Sequence, residues 1–200
     1  MIAIVDYGVG NLASVRKAFA AVGARAELVA DPEALSAARA IVLPGVGHFG
    51  HCAREFQRSG FGPSLLAARE RSVPILGICV GMQLFFERSE EAADEPGLGL
   101  LRGTVAKMRG VPRLPQIGWN QVRLRGSHPW LGGMADGDFA YFVHSYAAEP
   151  EDGVVLGTTD YGTERVAIVG DEGLLGVQFH PEKSSTPGLR LLDAFATAAG

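Results

Sequence analysis

The stretch "PILGICVGMQLFFE", residues 74–87, decides the fold. It opens as an apolar run, sets Cys79 between Gly77 and Gly81, and passes at once into helical spacing. So short and apolar a run reads as a buried strand over 74–79, with a helix expected over 79–88. Glycines two before and two after the turning residue suit a sharp strand-to-helix elbow, where the returning chain passes so close that a side chain would clash. The elbow presents its central residue at a helix start, which favours a thiolate. The same spacing also fits a structural cysteine packed between two glycines, and the motif by itself leaves both readings open.

Outward from the elbow the first half repeats one beat. "IAIV" (2–5) reads as a strand, and Leu12, Val15, Phe19 and Val22 mark a helix closed by Gly23. "RAELV" (25–29) precedes Asp31-Pro32, a cap and first turn, and "AIVLPGVG" (40–47) is a strand running into a glycine turn. Residues 48–58 and 62–71 read as helices before the strand at 74. This is an α/β chain with a mostly parallel central sheet flanked by helices. Beyond residue 98 the texture turns to short β-like runs, such as "FAYFVHSYAAE" (139–149), and two apolar runs bracket "GDEG" as a hairpin. That adds an antiparallel β extension in the C-terminal half. Thr186-Pro187 caps a last helix through Leu189, Leu192 and Phe195. With no repeat or linker, residues 1–200 read as a single domain.

Composition narrows the function classes. Of the 200 residues 47% are hydrophobic and 20% charged, enough for one substantial core, and the net charge of −4 offers no basic field for nucleic acid. No basic leader precedes the first apolar run and no stretch is long enough to span a membrane, so the expected setting is the cytoplasm. The two cysteines, Cys52 and Cys79, are expected as free thiols.

A cysteine nucleophile needs a base. His48 and His51 lack further ligands for a metal, and His128 and His144 sit where packed or hydrogen-bonded histidines are ordinary. His180 ends the apolar run "LLGVQF" with Glu182 two residues on, and i and i+2 of an extended segment share a face. Cys79, His180 and Glu182 thus form nucleophile, base and orienter. "LPGVG" (43–47) ends another parallel strand, where ligands of such sheets gather. An oxyanion hole follows from the N–H of Val80 and that of Val46 or Gly47.

Together "GICVGMQ", "PGVG" and "QFHPE" resemble the class I (triad) glutamine amidotransferases, and the resemblance runs from the first strand to the last helix. "YGVGN" (7–11), "IGWN" (117–120), "YFVHSY" (141–146) and "HPEKS" (180–184) are similar to the glutaminase subunits of imidazole glycerol phosphate synthase, in histidine biosynthesis. Val80 stands where that group usually has Leu, and Gln116 where it has His. The resemblance implies hydrolysis of L-glutamine through a cysteinyl thioester, without cofactor or metal. It implies a glutamine pocket lined by Gly47, Gln83, Ser145 and Tyr146, with Glu91 toward the α-ammonium. It also implies a heterodimer with a (β/α)8-barrel cyclase subunit that receives the ammonia. An interface on the Cys79 face would gather Asn11, Trp119, Asn120, Tyr141 and Lys183, with Trp119 and Asn120 on a surface loop. Rival readings are an amidotransferase subunit for anthranilate or aminodeoxychorismate, disfavoured by Met82 and Lys183, and a cysteine esterase, disfavoured by Gln83 and "HPE". A non-catalytic regulatory partner is disfavoured by the intact triad.

Overall fold

The structure is a computed structural model that describes residues 1–151 and 153–198. The chain runs β1 (Ile2–Val5), α1 (Leu12–Ala21), β2 (Ala26–Val29), a 3-10 turn (Pro32–Ala37), β3 (Ala40–Gly45), α2 (Phe49–Ser59), α3 (Phe61–Glu70), β4 (Ile75–Cys79) and α4 (Val80–Gln83). It continues with β5 (Arg88–Ser89), β6 (Gly103–Lys107), β7 (Gln116–Gln121), β8 (Arg123–Leu124), β9 (Phe139–His144) and β10 (Tyr146–Pro150). Then follow β11 (Val155–Asp160), β12 (Glu164–Asp171), β13 (Leu174–Val177) and α5 (Ser185–Ala198).

One sheet draws strands from both halves, in the order β2-β1-β3-β4-β13-β12-β11-β8. From β2 to β13 every pairing is parallel, and from β13 to β8 every pairing is antiparallel. The expected hairpin around "GDEG" is the β12–β13 pair. β1, β3, β4 and β13 are buried at every residue, as strands covered on both faces must be. The covering helices are amphipathic: α2 buries Phe49, Cys52, Ala53 and Phe56, one face at helical spacing. α5 packs on α1 with Phe195 against Phe19. Two smaller units stand off the main sheet, the sheet β10-β6-β5 and the ribbon β7·β9. Among the described residues no helix is long and apolar enough to cross a membrane.

Two expectations need correction. The helix over 79–88 is a single turn, Val80–Gln83. The carbonyls of Leu84, Phe85, Phe86 and Glu87 are taken by the N–H groups of Leu98, Leu101, Gly99 and Gly97, so a crossing segment replaces the next helical turn. The buried Leu84, Phe85 and Phe86 carry a helical pattern only because the core surrounds them. Trp119 and Asn120 lie on a strand, β7, and not on a loop; the prolines before it end at Pro115, and β9 supplies an antiparallel partner for every residue from Gln116 to Gln121.

Candidate active site

The carboxyl ends of β3 and β4 and the segment after β13 converge on Cys79. The elbow is strained as its glycines require: Cys79 takes φ 56° and ψ −114°, a region a non-glycine residue occupies at a cost of about 1–3 kcal/mol. A Cβ at Gly81 would lie 1.9 Å from the Leu43 carbonyl oxygen, and one at Gly77 would lie 2.5 Å from the Phe85 ring. Neither glycine position has room for a methyl group.

His180, buried, follows β13 with its N–H bonded to the Tyr141 carbonyl. Its Nδ1 donates to Glu182 Oε1 at 2.8 Å, and its side chain borders the same cleft as Cys79. Burial pushes the imidazole pKa down, but the neighbouring Cys79 and Glu182 outweigh it and raise it to about 10. At neutral pH this histidine is charged beside the sulfur. The three residues expected to act together are therefore together.

The oxyanion segment is oriented by the sheet. β3 pairs with β4 in parallel as far as Gly45 opposite Cys79, and Ile41 N–H donates to the Pro74 carbonyl. With a period of two, the N–H and C=O of residues 41, 43 and 45 face β4, so the Gly45 carbonyl is directed toward the elbow. The Val46 N–H, trans across the next peptide bond, points away from Cys79. Behind the strand, the Tyr7 hydroxyl donates to Pro44 O at 2.7 Å and Cys52 Sγ to Val46 O at 3.3 Å. The Gly47 N–H, trans to that Val46 carbonyl, turns to the other side. Of the two N–H groups weighed in this segment, that of Val46 is thus not aimed at the sulfur in this structure.

A cleft of about 320 Å³ opens over Cys79, lined among others by Gly47, Val80, Gln83, Glu91, Ser145 and Tyr146. Every residue expected in the glutamine pocket borders it. Glu91 has one oxygen engaged, since Oε2 accepts from the Phe49 N–H at 2.7 Å. Gln83 Nε2 donates to Tyr146 O at 3.1 Å and to Gln178 Oε1 at 3.0 Å, and Gln178 Nε2 reaches Cys79 Sγ at 3.7 Å. Gln178 escaped the sequence reading, although it stands two residues before His180 and so shares its face. His144 Nδ1 donates to Tyr146 O at 2.8 Å, its Nε2 lies 3.0 Å from the Gln116 amide, and burial pushes its pKa down to about 4. Both cysteines are free and buried; burial pushes the Cys52 thiol up to about 11.

The residues expected at an interface fall into two groups. Trp119 and Tyr141 face each other across β7·β9, rings edge to face at 6.1 Å, with Lys183 Nζ 5.8 Å from the Tyr141 ring centre. Trp119 is 52% exposed, and its ribbon neighbours Ile117 and Phe139 are 61% and 50% exposed, although the sequence reading named neither. The alternation in "QIGWNQ" was the available signal. Asn120 and Asn11 differ from these: Asn120 Nδ2 donates to Asp160 O at 2.7 Å, and Asn11 opens α1 through its main-chain carbonyl, which accepts from Ser14 and Val15, while its side chain makes no capping bond.

Comparison with known proteins gives a consistent result. Residues 3–199 match the family described as glutamine amidotransferase class-I. The chain is 48% identical over 192 residues to imidazole glycerol phosphate synthase subunit HisH of Symbiobacterium thermophilum, covering 96% of this chain and 91% of that one. It is 46% identical over 200 residues to the HisH subunit of Thermococcus kodakarensis, covering 98% of each. Among solved structures it is similar to a glutamine amidotransferase crystal structure (TM-score 0.77, 19% identity, 98% of each chain). It is also similar to PurLQS from Thermotoga maritima (TM-score 0.78, 21% identity, 100% of this chain and 98% of that one). At those identities the structural likeness speaks for the fold.

Proposed function

Because the chain belongs to the class I glutamine amidotransferase family, alongside HisH subunits of imidazole glycerol phosphate synthase, we propose that its Cys79–His180–Glu182 cluster hydrolyses L-glutamine for such a synthase. The observation that carries the reading is a cysteine at a strained elbow that shares an open cleft with His180, whose ring Glu182 holds at 2.8 Å.

Cys79 thiolate attacks the carboxamide carbon of glutamine, forming the C–S bond of a tetrahedral oxyanion. His180 gives its proton to the nitrogen as the C–N bond breaks, and ammonia leaves. Neutral His180 then takes a proton from water, whose oxygen attacks the γ-glutamyl thioester. Glutamate departs, and the thiolate and imidazolium are restored. One water is consumed for each ammonia. Glu182 keeps the ring oriented throughout. Gln83 has both amide hydrogens engaged, so its Oε1 is the atom that meets the substrate, beside Gly47, Ser145 and Tyr146.

The oxyanion needs the N–H of Val80 and a second donor, each worth roughly 3 kcal/mol of barrier. Rotating the Gly45–Val46 peptide would withdraw the Gly45 carbonyl and turn the Val46 N–H toward the sulfur, a change glycine permits. Such a resting orientation supports slow hydrolysis by the isolated chain and acceleration on docking. The docked protein is a (β/α)8-barrel cyclase subunit, and the heterodimer works in the cytoplasm. The 200 residues act as one amidotransferase domain. The cyclase would combine the ammonia with a phosphoribulosyl nucleotide precursor, yielding imidazole glycerol phosphate and an aminoimidazole carboxamide ribotide. Its docking surface is the exposed apolar face of β7·β9 with Lys183, next to the cleft.

Glutamate release from glutamine, measured with and without the cyclase subunit and its nucleotide ligand, tests the proposal. Slow release alone and strong stimulation by the liganded partner are expected; equal turnover in both states would remove the gating role.

A further inference from the structure

A single line of buried side chains fixes which atom faces the nucleophilic sulfur. It starts at the Tyr146 main-chain carbonyl, which can only accept. Gln83 Nε2 lies 3.1 Å from that oxygen and 3.0 Å from Gln178 Oε1, so both its hydrogens are directed at oxygens. Gln178 Oε1 is thereby the accepting end of its amide, and the donating end, Nε2, is the one left 3.7 Å from Cys79 Sγ. Turning the Gln178 amide over would set nitrogen against nitrogen at Gln83 and leave two buried donors without acceptors. Gln178 is fully buried and Gln83 is 3% exposed, so water does not rescue that arrangement. The Tyr146 carbonyl is held from its other side by His144 Nδ1 at 2.8 Å.

We propose that Gln178 is a positioning residue for the nucleophile, donating an N–H to the Cys79 sulfur and so holding it charged and in place, with Gln83 as the brace that locks the amide. The proposal rests on the reading of Cys79 as the nucleophile. Gln178 and His180 stand two apart in the segment after β13, Gln178 reaching the Cys79 sulfur and His180 bordering the cleft beside it, while Phe179 between them packs against Phe142 in the core. A second donor is needed because α4, at four residues, is too short to supply the field expected of a helix start. It also does what His180 cannot. His180 gives its proton away when ammonia leaves and recovers one from water, whereas the Gln178 N–H stays through the cycle and is present when the thioester breaks and the sulfur takes back its charge.

The test is the pH profile of Cys79 alkylation by iodoacetamide in the isolated chain, read peptide by peptide by mass spectrometry, in wild type and Gln178→Met. Methionine keeps the length and removes the donor. The midpoint of the profile is expected to rise by about one pH unit, a factor of about ten in the ionisation equilibrium. With the partner present, kcat should fall about tenfold and KM change less than about threefold. A purely structural role would lower the melting temperature and leave the midpoint alone. An unshifted midpoint in folded Gln178→Met, or in Gln178→Leu if the methionine variant does not fold, overturns the inference. If wild-type Cys79 itself alkylates no more readily at neutral pH than an ordinary exposed thiol, the nucleophile reading falls; a low wild-type midpoint shared by the variant removes only the role of Gln178.

Discussion

The end of the parallel strands and the β7·β9 ribbon are joined by the bond from His180 N–H to the Tyr141 carbonyl, yet they are built on opposite terms. Around Cys79 the protein supplies its own partners: Glu182 to His180, Gln83 to Gln178, Gln178 to the sulfur, all from buried side chains. On the ribbon, Ile117, Trp119 and Phe139 stand half or more exposed, the three most exposed of the large apolar side chains among the described residues. A region that completes itself suits chemistry that must be held still. A region that leaves apolar surface in water suits a surface that another protein covers. The difference teaches where to expect each kind of defect: substitutions at the elbow should change chemistry and spare association, and those on the ribbon should do the reverse.

The sharpest way to break that comparison is Cys79→Ala. Glutaminase should drop below a few per cent of wild type with partner affinity unchanged; residual turnover above that level would move the nucleophile elsewhere. Cys79→Gly should be equally inactive yet more stable by about 1 kcal/mol, because glycine adopts φ 56° without strain. Chemical denaturation reads that difference.

The buried side also has a pH signature. The folded value of His144, about 4, lies below that of an unfolded histidine, so between pH 6.5 and 4 the unfolded chain binds a proton that the folded chain does not. Stability is full above that window and is lost as pH falls through it. At 1.36 kcal/mol per unit the loss reaches about 3 kcal/mol. His180 works in the opposite sense: its raised value, about 10, contributes stability that is whole below pH 6.5 and is lost as pH rises through 10. Unfolding free energy should therefore peak near pH 6.5, and His144→Gln should flatten the acid limb. An acid limb unchanged in His144→Gln would place its cause in other groups.

Ribbon substitutions should be milder and differently read. Trp119→Ala is expected to weaken association with the cyclase by roughly 1–4 kcal/mol, with the isolated chain's slow hydrolysis intact. Titration calorimetry decides it, and a wild-type affinity would move the interface off this face. The smallest effect belongs to Lys183→Ala, whose ammonium lies 5.8 Å from the Tyr141 ring centre. It should cut stimulation by the liganded partner several-fold and lower basal hydrolysis less. If both fall together, Lys183 acts on the chemistry and not on docking.

How far the sequence reached follows the same division. The elbow was legible because steric crowding leaves glycine as the only residue at 77 and 81; the pairing of His180 with Glu182 was also found, but the extended segment expected to produce it is a 3-10 turn over Pro181–Lys183, begun by His180, that brings the carboxylate back to the ring. The helix after Cys79 was read too long, since Leu84, Phe85 and Phe86 are buried by a crossing segment whose hydrogen bonds no local pattern announces. Trp119 and Asn120 passed for a loop because their strand partners in β9, Tyr141 and Ala140, lie about twenty residues away. Gln178 stayed hidden for a different reason. Residue spacing gives a side chain's face, but the direction of an amide depends on a carbonyl at Tyr146 and a second glutamine, which only the fold brings together.

The central claim is that Cys79 carries the γ-glutamyl group between the two halves of the reaction. Rapid acid quenching of the protein turning over glutamine with its liganded partner, followed by mass spectrometry of the cysteine peptides, tests it most directly. A γ-glutamyl adduct on the Cys79 peptide, absent from the Cys52 peptide and absent in Cys79→Ala, is the predicted result. Glutamate formed at full rate with no adduct on Cys79, or with the adduct on Cys52, would contradict the account.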